Sequence, residues 1–178
     1  MRFLIITLII FSTSAHAEEP LEFKGFALGS TLASADSVHP LYCKKRFDPA
    51  TPNKVCTTAF AKDDTIAGHP IDKITLYFFD DSLQIITIFF QEKYFSDIVS
   101  ALTEKYGVGT VTESTIQNRM GATFDDKILI WRKGSAFVRA ERYAGQIDMS
   151  SVFYQTDSSI EKLKKQNESL VKERTKDL

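Results

Sequence analysis

The chain has 178 residues, with 22 basic side chains against 23 acidic ones and a net charge of −1. That near-balance excludes a global field drawing it to nucleic acid or to an anionic membrane. With 43% hydrophobic and 25% charged residues, fourteen Phe and six Tyr, it has the composition of an ordinary globular protein with material for a firm core.

The first element is a leader. Met1-Arg2 is followed by an apolar run from Phe3 to Phe11, small residues, Ala15-His16-Ala17, and then Glu18-Glu19-Pro20. A positive start, a short apolar core and an A-x-A end predict a cleavable signal peptide over residues 1–17. The run is about half of the ~20 residues a membrane span needs, so no span is expected. The expected product, residues 18–178, is periplasmic or secreted. Its first residue is Glu18, so it offers no cysteine for lipid attachment there.

Leu21 to Leu28 alternates loosely and predicts a first strand, with a turn at Gly29. Ser30 or Thr31 can cap a short helix carrying Leu32, Ala35 and Val38 on one side. Pro40 stops it. The Cys43–Cys56 loop, holding Pro49 and Pro52, comes next. A strand is predicted over Val55–Ala61, with Asp63-Asp64 as its turn. Ile71–Phe79 and Leu83–Phe90 read as the clearest strands, separated by the turn Asp80-Asp81-Ser82. Ile74, Leu76 and Phe78 share one face; Tyr77 and Phe79 share the other. A strand apolar on both sides fits a central position with cover on each face, or one aromatic face left for a partner.

Lys93–Tyr106 predicts a helix, because Phe95, Ile98, Val99, Leu102 and Tyr106 form a stripe at helical spacing. Gly107 ends it. Further strands are predicted over Val111–Asn118, Ala122–Phe124 running into Lys127–Arg132 past Asp125-Asp126, Phe137–Tyr143 and Ile147–Tyr154. Residues 157–178 turn charged and helix-favouring, with Ile160, Leu163, Asn167 and Leu170 at a/d-like spacing over too few heptads for a coiled coil. Tight turns between neighbouring strands imply antiparallel pairing. The reading is an α+β fold: antiparallel sheet with packed helices and a C-terminal helix. Residues 18–156 form one domain, with a possible pseudo-repeat of helix-plus-hairpin units over 21–92 and 93–156.

Cys43 and Cys56 are the two cysteines. In an exported chain they predict a disulfide. Two thiols on a metal is the alternative, but no His or Cys lies near them at zinc-site spacing. Between them Lys44, Lys45, Arg46 and Lys54 stand against a lone Asp48, with Phe47 as a candidate anchor. A bridged basic loop would lose less entropy on docking to an acidic protein surface or an anionic envelope polymer. Trp131, Arg132, Arg139, Arg142 and Tyr143 make a second candidate interaction surface. Both patches also read as ordinary solvated segments.

Catalytic signals are absent. His39 and His69, each before a proline, are 30 residues apart with no metal-protease spacing, and no G-x-S-x-G elbow accompanies them. Asp63-Asp64, Asp80-Asp81 and Asp125-Asp126 lack the alternating ligands of a calcium loop and read as turns. No phosphate-cradling glycine motif occurs. No cofactor and no metal is indicated.

Leu28-Gly29-Ser30-Thr31 opening a short helix, followed by a hairpin that closes the unit, resembles the SmpA type of small outer-membrane-assembly lipoprotein. Two such units in tandem resemble the β-lactamase inhibitor protein architecture, over residues 23–154. Thr65–Pro70 and Asn118–Phe124 are similar to segments of uncharacterised exported bacterial proteins. What the SmpA and inhibitor resemblance implies is a non-catalytic module that grips another envelope or periplasmic protein with a sheet face and loops. A binder of a small apolar ligand is the runner-up, and a hydrolase with dispersed catalytic residues comes third.

Overall fold

Period-two alternation of apolar residues builds one eight-stranded antiparallel sheet. The structure, a computed structural model, describes residues 19–45, 54–58, 64–118 and 120–175. Glu22–Phe23 (β1) and Phe26–Ala27 (β2) form a small hairpin, followed by the helix Leu32–Val38 (α1). Next come Leu41–Lys45 (β3) and Lys54–Thr58 (β4), then a second small hairpin of Thr65–Ile66 (β5) and His69–Pro70 (β6). Lys73–Phe79 (β7) and Ser82–Gln91 (β8) lead through a single 3-10 turn into the helix Phe95–Tyr106 (α2). Thr110–Gln117 (β9), Thr123–Lys133 (β10), Ala136–Glu141 (β11), Met149–Thr156 (β12) and the helix Asp157–Arg174 (α3) complete the chain.

The strand order is β3-β4-β7-β8-β12-β11-β10-β9. Two meanders of four strands therefore join edge to edge where β8 pairs with β12. One helix precedes each meander. This is the α+β arrangement expected from the element order.

Turn chemistry sets the hairpins. Asp80 and Asp81 both take positive φ, 49° and 62°, in the two-residue turn between β7 and β8. Such a turn matches the twist of the strands it joins, and Asp tolerates the left-handed region better than most residues. The β1–β2 turn does the same with Lys24-Gly25. That turn splits the single strand expected over Leu21–Leu28 into two short ones. Thr31 caps α1, its Oγ1 accepting from the Ser34 N–H at 3.2 Å.

Another expectation changes. Asp125-Asp126 is no turn: both residues lie inside β10, opposite Thr115 and Ser114 of β9. The strand expected to run from Ala122 to Arg132 past the pair is continuous, because an unbroken ladder to β9 holds the backbone extended. Asp63 lies outside the described residues, while Asp64 pairs with Lys24 at 3.0 Å.

One face of the sheet is closed. Ile74, Leu76 and Phe78 of β7, Ile86, Ile88 and Phe90 of β8, and Val152 and Tyr154 of β12 are at most 3% exposed. They pack with Phe95, Ile98 and Leu102 of α2 and with Phe23, Phe26 and Leu28 of the N-terminal hairpin. The predicted stripe of α2 is thus its buried face. The phenol of Tyr154 hydrogen-bonds to Tyr106 of α2, and burial pushes its ionisation far above the ordinary tyrosine range. No described helix is long and apolar enough to cross a membrane.

Candidate functional site

The opposite face of the sheet is the less completely covered of the two. Because directly paired residues share a face, the ladders place Tyr42, Thr57, Thr75, Thr87, Phe153, Arg139, Ile130 and Thr110 in one row across all eight strands. Val55, Tyr77, Phe89, Phe137, Glu141 and Ile128 flank this row on the same face. Tyr77, Phe89, Phe153, Ile128 and Ile130 are half-buried, and Tyr42 is 68% exposed. The closed face has nothing comparable at its centre.

Charge is arranged around these rings. The Arg139 guanidinium stands 5.7 Å from the Phe153 ring centroid and forms an ion pair with Glu141. Burial lifts the Glu141 carboxyl above the usual carboxylate range; Arg139 pulls the other way and nearby Asp126 adds to the rise. Arg132 sits 5.5 Å from the Phe137 ring and bonds Asp157 at the start of α3. Lys162 of α3 reaches both Asp80 and the Phe79 ring. Of the apolar residues of α3, Leu163 is half-buried while Ile160 and Val171 are exposed; the side chain of Leu170 lies outside the described residues.

In the middle of the row, the hydroxyls of Thr75 and Thr87, and that of Ser151 beside them, are buried without a hydrogen-bond partner among the described residues. Such a group loses hydration with no return, so its replacement by a methyl should stabilise. Thr87→Val is expected to raise stability by about 1 kcal/mol in urea unfolding. A loss of stability would mean that this hydroxyl is bonded in solution.

The sequence-predicted residues divide between the two faces and the rim. Cys43 and Cys56 face each other across β3 and β4 and are joined as a disulfide. Lys44 follows, exposed, on the same face as Tyr42. Lys45 is the last residue of β3 and Lys54 the first of β4. Arg46 and Phe47 lie outside the described residues. Trp131 does not belong to the interaction surface expected for it. It points into the closed face, 3% exposed, with its indole N–H donating to the Gly107 carbonyl at 2.9 Å. Arg139 is on the other side of the sheet. Tyr143 lies just past β11, edge-on to Phe124 at 6.1 Å. Neighbouring Arg142 is a tether: its Nε donates to Glu92 at 2.6 Å and its Nη1 to the Asp125 carbonyl at 3.1 Å. The bond to Glu92 raises the Arg142 pKa further.

The histidines remain apart. His39 caps the end of α1 near the Phe26 ring. His69 stacks on Tyr94 at 4.4 Å and its Nε2 lies 3.1 Å from Asp97, which pins the β5–β6 hairpin to the first turn of α2. A histidine with a carboxylate lacks the nucleophile of a hydrolytic triad, and no hydroxyl or thiol is bonded to His69 among the described residues. Nor do three or more His, Cys, Asp or Glu cluster there to hold a metal.

No family model, no curated protein and no solved structure matches this chain.

The site is therefore read from its own geometry. Sequence reasoning missed Tyr42, Phe89 and Phe153 as members of one surface. The signal was present for part of it: Tyr77 opposes Leu76 in phase, as Phe153 opposes Val152 and Tyr154. What the sequence lacked was the strand order that brings these rings onto one row.

Proposed function

We propose that this protein is an exported, non-catalytic binding module of the cell envelope that holds another protein against its half-exposed sheet face. The observation that carries this reading is the asymmetry of the two faces. One is closed by helices and hairpin; the other presents Tyr42, Tyr77, Phe89, Phe153 and Ile130 with Arg139 and Glu141 among them. Aromatic rings interleaved with arginine are the composition of interface anchors. Export rests on the leader over residues 1–17, and the Cys43–Cys56 bridge agrees with an oxidising compartment. The likeness to SmpA-type lipoproteins and β-lactamase inhibitor proteins points the same way by fold analogy. A small apolar ligand between sheet and α2 is less favoured, because it would have to displace the side chains that fill that layer.

Phe153 is the central anchor to test. Phe153→Asp puts a charge on the half-buried row beside Arg139, on the side of the sheet away from the closed core. Capture from envelope extract with tagged protein should yield one stoichiometric partner that the Phe153→Asp protein loses, its circular dichroism unchanged. Equal capture by both proteins would sink the sheet-face reading.

A further inference from the structure

The less covered face is not equally open along its length. Toward the β7–β8 turn, Tyr77, Ile85, Gln155, Phe137 and Arg132 pair in succession across β7, β8, β12, β11 and β10, so they form a second row on that face. Ile85, Gln155 and Phe137, with Phe79 two residues beyond Tyr77, are at most 8% exposed. Ile85, Phe137 and Phe79 are no part of the cluster packed on the closed face. What lies over them is α3. Asp157 at its start accepts from Arg132 at 3.0 Å. Lys162 reaches Asp80 at 3.3 Å and stands 5.5 Å from the Phe79 ring centroid. The beginning of the helix therefore bridges from β10 to the β7–β8 turn, above the covered row.

The attachment is concentrated at one end. The Asp157 N–H donates to the Ser135 carbonyl at 2.8 Å, and the Thr156 Oγ1 accepts from the Ser159 N–H at 3.2 Å. The hydroxyls of Thr156 and Ser158 both donate to the Gln84 Oε1, at 2.6 and 2.7 Å. Past this first turn, the polar contacts to the sheet among the described residues are those of Lys162, and Leu163 is half-buried. Of the described side chains of α3, Ser159 alone is fully buried, while Ile160 and Val171 are 43% and 61% exposed. A helix of 18 residues is marginal by itself in water. One docked through an exposed ion pair and few apolar groups opens at a fraction of the free energy that unfolds the sheet.

We propose that α3 is a displaceable cover of the binding face. It swings about Asp157, and in doing so adds Phe79, Ile85 and Phe137 to the half-buried rings of Tyr77, Phe89 and Phe153. Closed, it competes with a partner for this end of the face; open, it leaves one continuous apolar surface. The competition rests on the reading of this face as protein-binding; the opening does not.

The test uses the full chain with Lys162→Glu and with Lys162→Glu plus Leu163→Gln. Neither exchange lowers helix propensity, and Glu near the helix start favours the helix, so faster exchange can come only from undocking. Hydrogen exchange of the α3 amides should be at least about threefold faster in the single variant and about tenfold faster in the double one. The amides of β8 and β12 should be unchanged. Lys162→Arg should behave as the native protein, and molar salt should speed α3 exchange in the native protein alone. Nile red, an uncharged dye, should brighten with the double variant and stay dim with the native protein. Exchange of α3 only together with β12, no effect of the double variant, or equal brightening by the native protein would overturn the proposal. In capture from envelope extract, the double variant should retain more of any partner that Phe153→Asp loses. Less retention would make α3 part of the binding surface, and also overturn its role as a cover. Absence of any such partner, with exchange and dye as expected, would remove the protein-binding reading and leave the cover standing.

Discussion

Trp131→Ala should destabilise the fold by about 3–5 kcal/mol, the cost of deleting a large aromatic ring from a packed core. Trp131 is 3% exposed on the closed face, beside Val138 of β11. Gly109 lies close against its ring: a Cβ there would come within 2.8 Å of the indole nitrogen and 3.1 Å of the Ile130 carbonyl. The space is shaped to the indole from both sides, which limits how far the site can collapse around a cavity. Trp131→Phe separates the ring from its N–H. It keeps most of the apolar contact but leaves the Gly107 carbonyl without the indole donor, and should cost about 1–3 kcal/mol. The variants lack the chain's one tryptophan, so urea unfolding is followed by far-ultraviolet circular dichroism. A Trp131→Ala loss below about 1 kcal/mol would return Trp131 to the surface where the sequence alone had placed it.

That misplacement has a physical origin. From Ile128 to Trp131 every residue of β10 is apolar, so alternation gives the strand no phase. Phase comes from the partners: Trp131 faces Val138, and Ile130 faces Arg139. Through β7, apolar on both faces, the sequence left open whether both were covered, and the structure sets Ile74, Leu76 and Phe78 in the closed core. The α2 stripe and the β7–β8 turn were legible, since each depends on residues adjacent or one helical turn apart. Asp125-Asp126 misled because a doublet of turn-forming residues carries the same local signal whether or not a ladder overrides it. The override lies in β9, several residues upstream, and no local reading reaches it. The candidate face was least legible, because Tyr42, Phe153 and Arg139 meet only through the strand order, and Tyr42 and Phe153 are over a hundred residues apart in the chain.

Removing the Cys43–Cys56 bridge should cost about 2–3 kcal/mol, by loss of the constraint it places on the unfolded chain. The cysteines are 13 residues apart, and a loop of roughly that length gives about 3 kcal/mol on the chain-entropy model. The two ends are unequal. Cys56 is fully buried opposite Leu76, whereas Cys43 is exposed on the edge strand. Cys43→Ser and Cys56→Ser both break the bridge, but only the second places a hydroxyl in the core. Cys56→Ser should therefore be the less stable by about 1–3 kcal/mol, and Cys56→Ala should recover much of that gap. Equal losses for the two serine variants would show that β4 is not seated in the core as described. The bridge also bears on function. Tyr42 and Lys44 stand on either side of Cys43, so the same edit that lowers stability frees the end of the aromatic row. If the sheet face is the binding surface, Cys43→Ala with Cys56→Ala should weaken partner capture at temperatures where the rest of the sheet is still folded. Capture that persists until global unfolding would confine the partner to the β12–β11–β10 side, around Phe153 and Arg139.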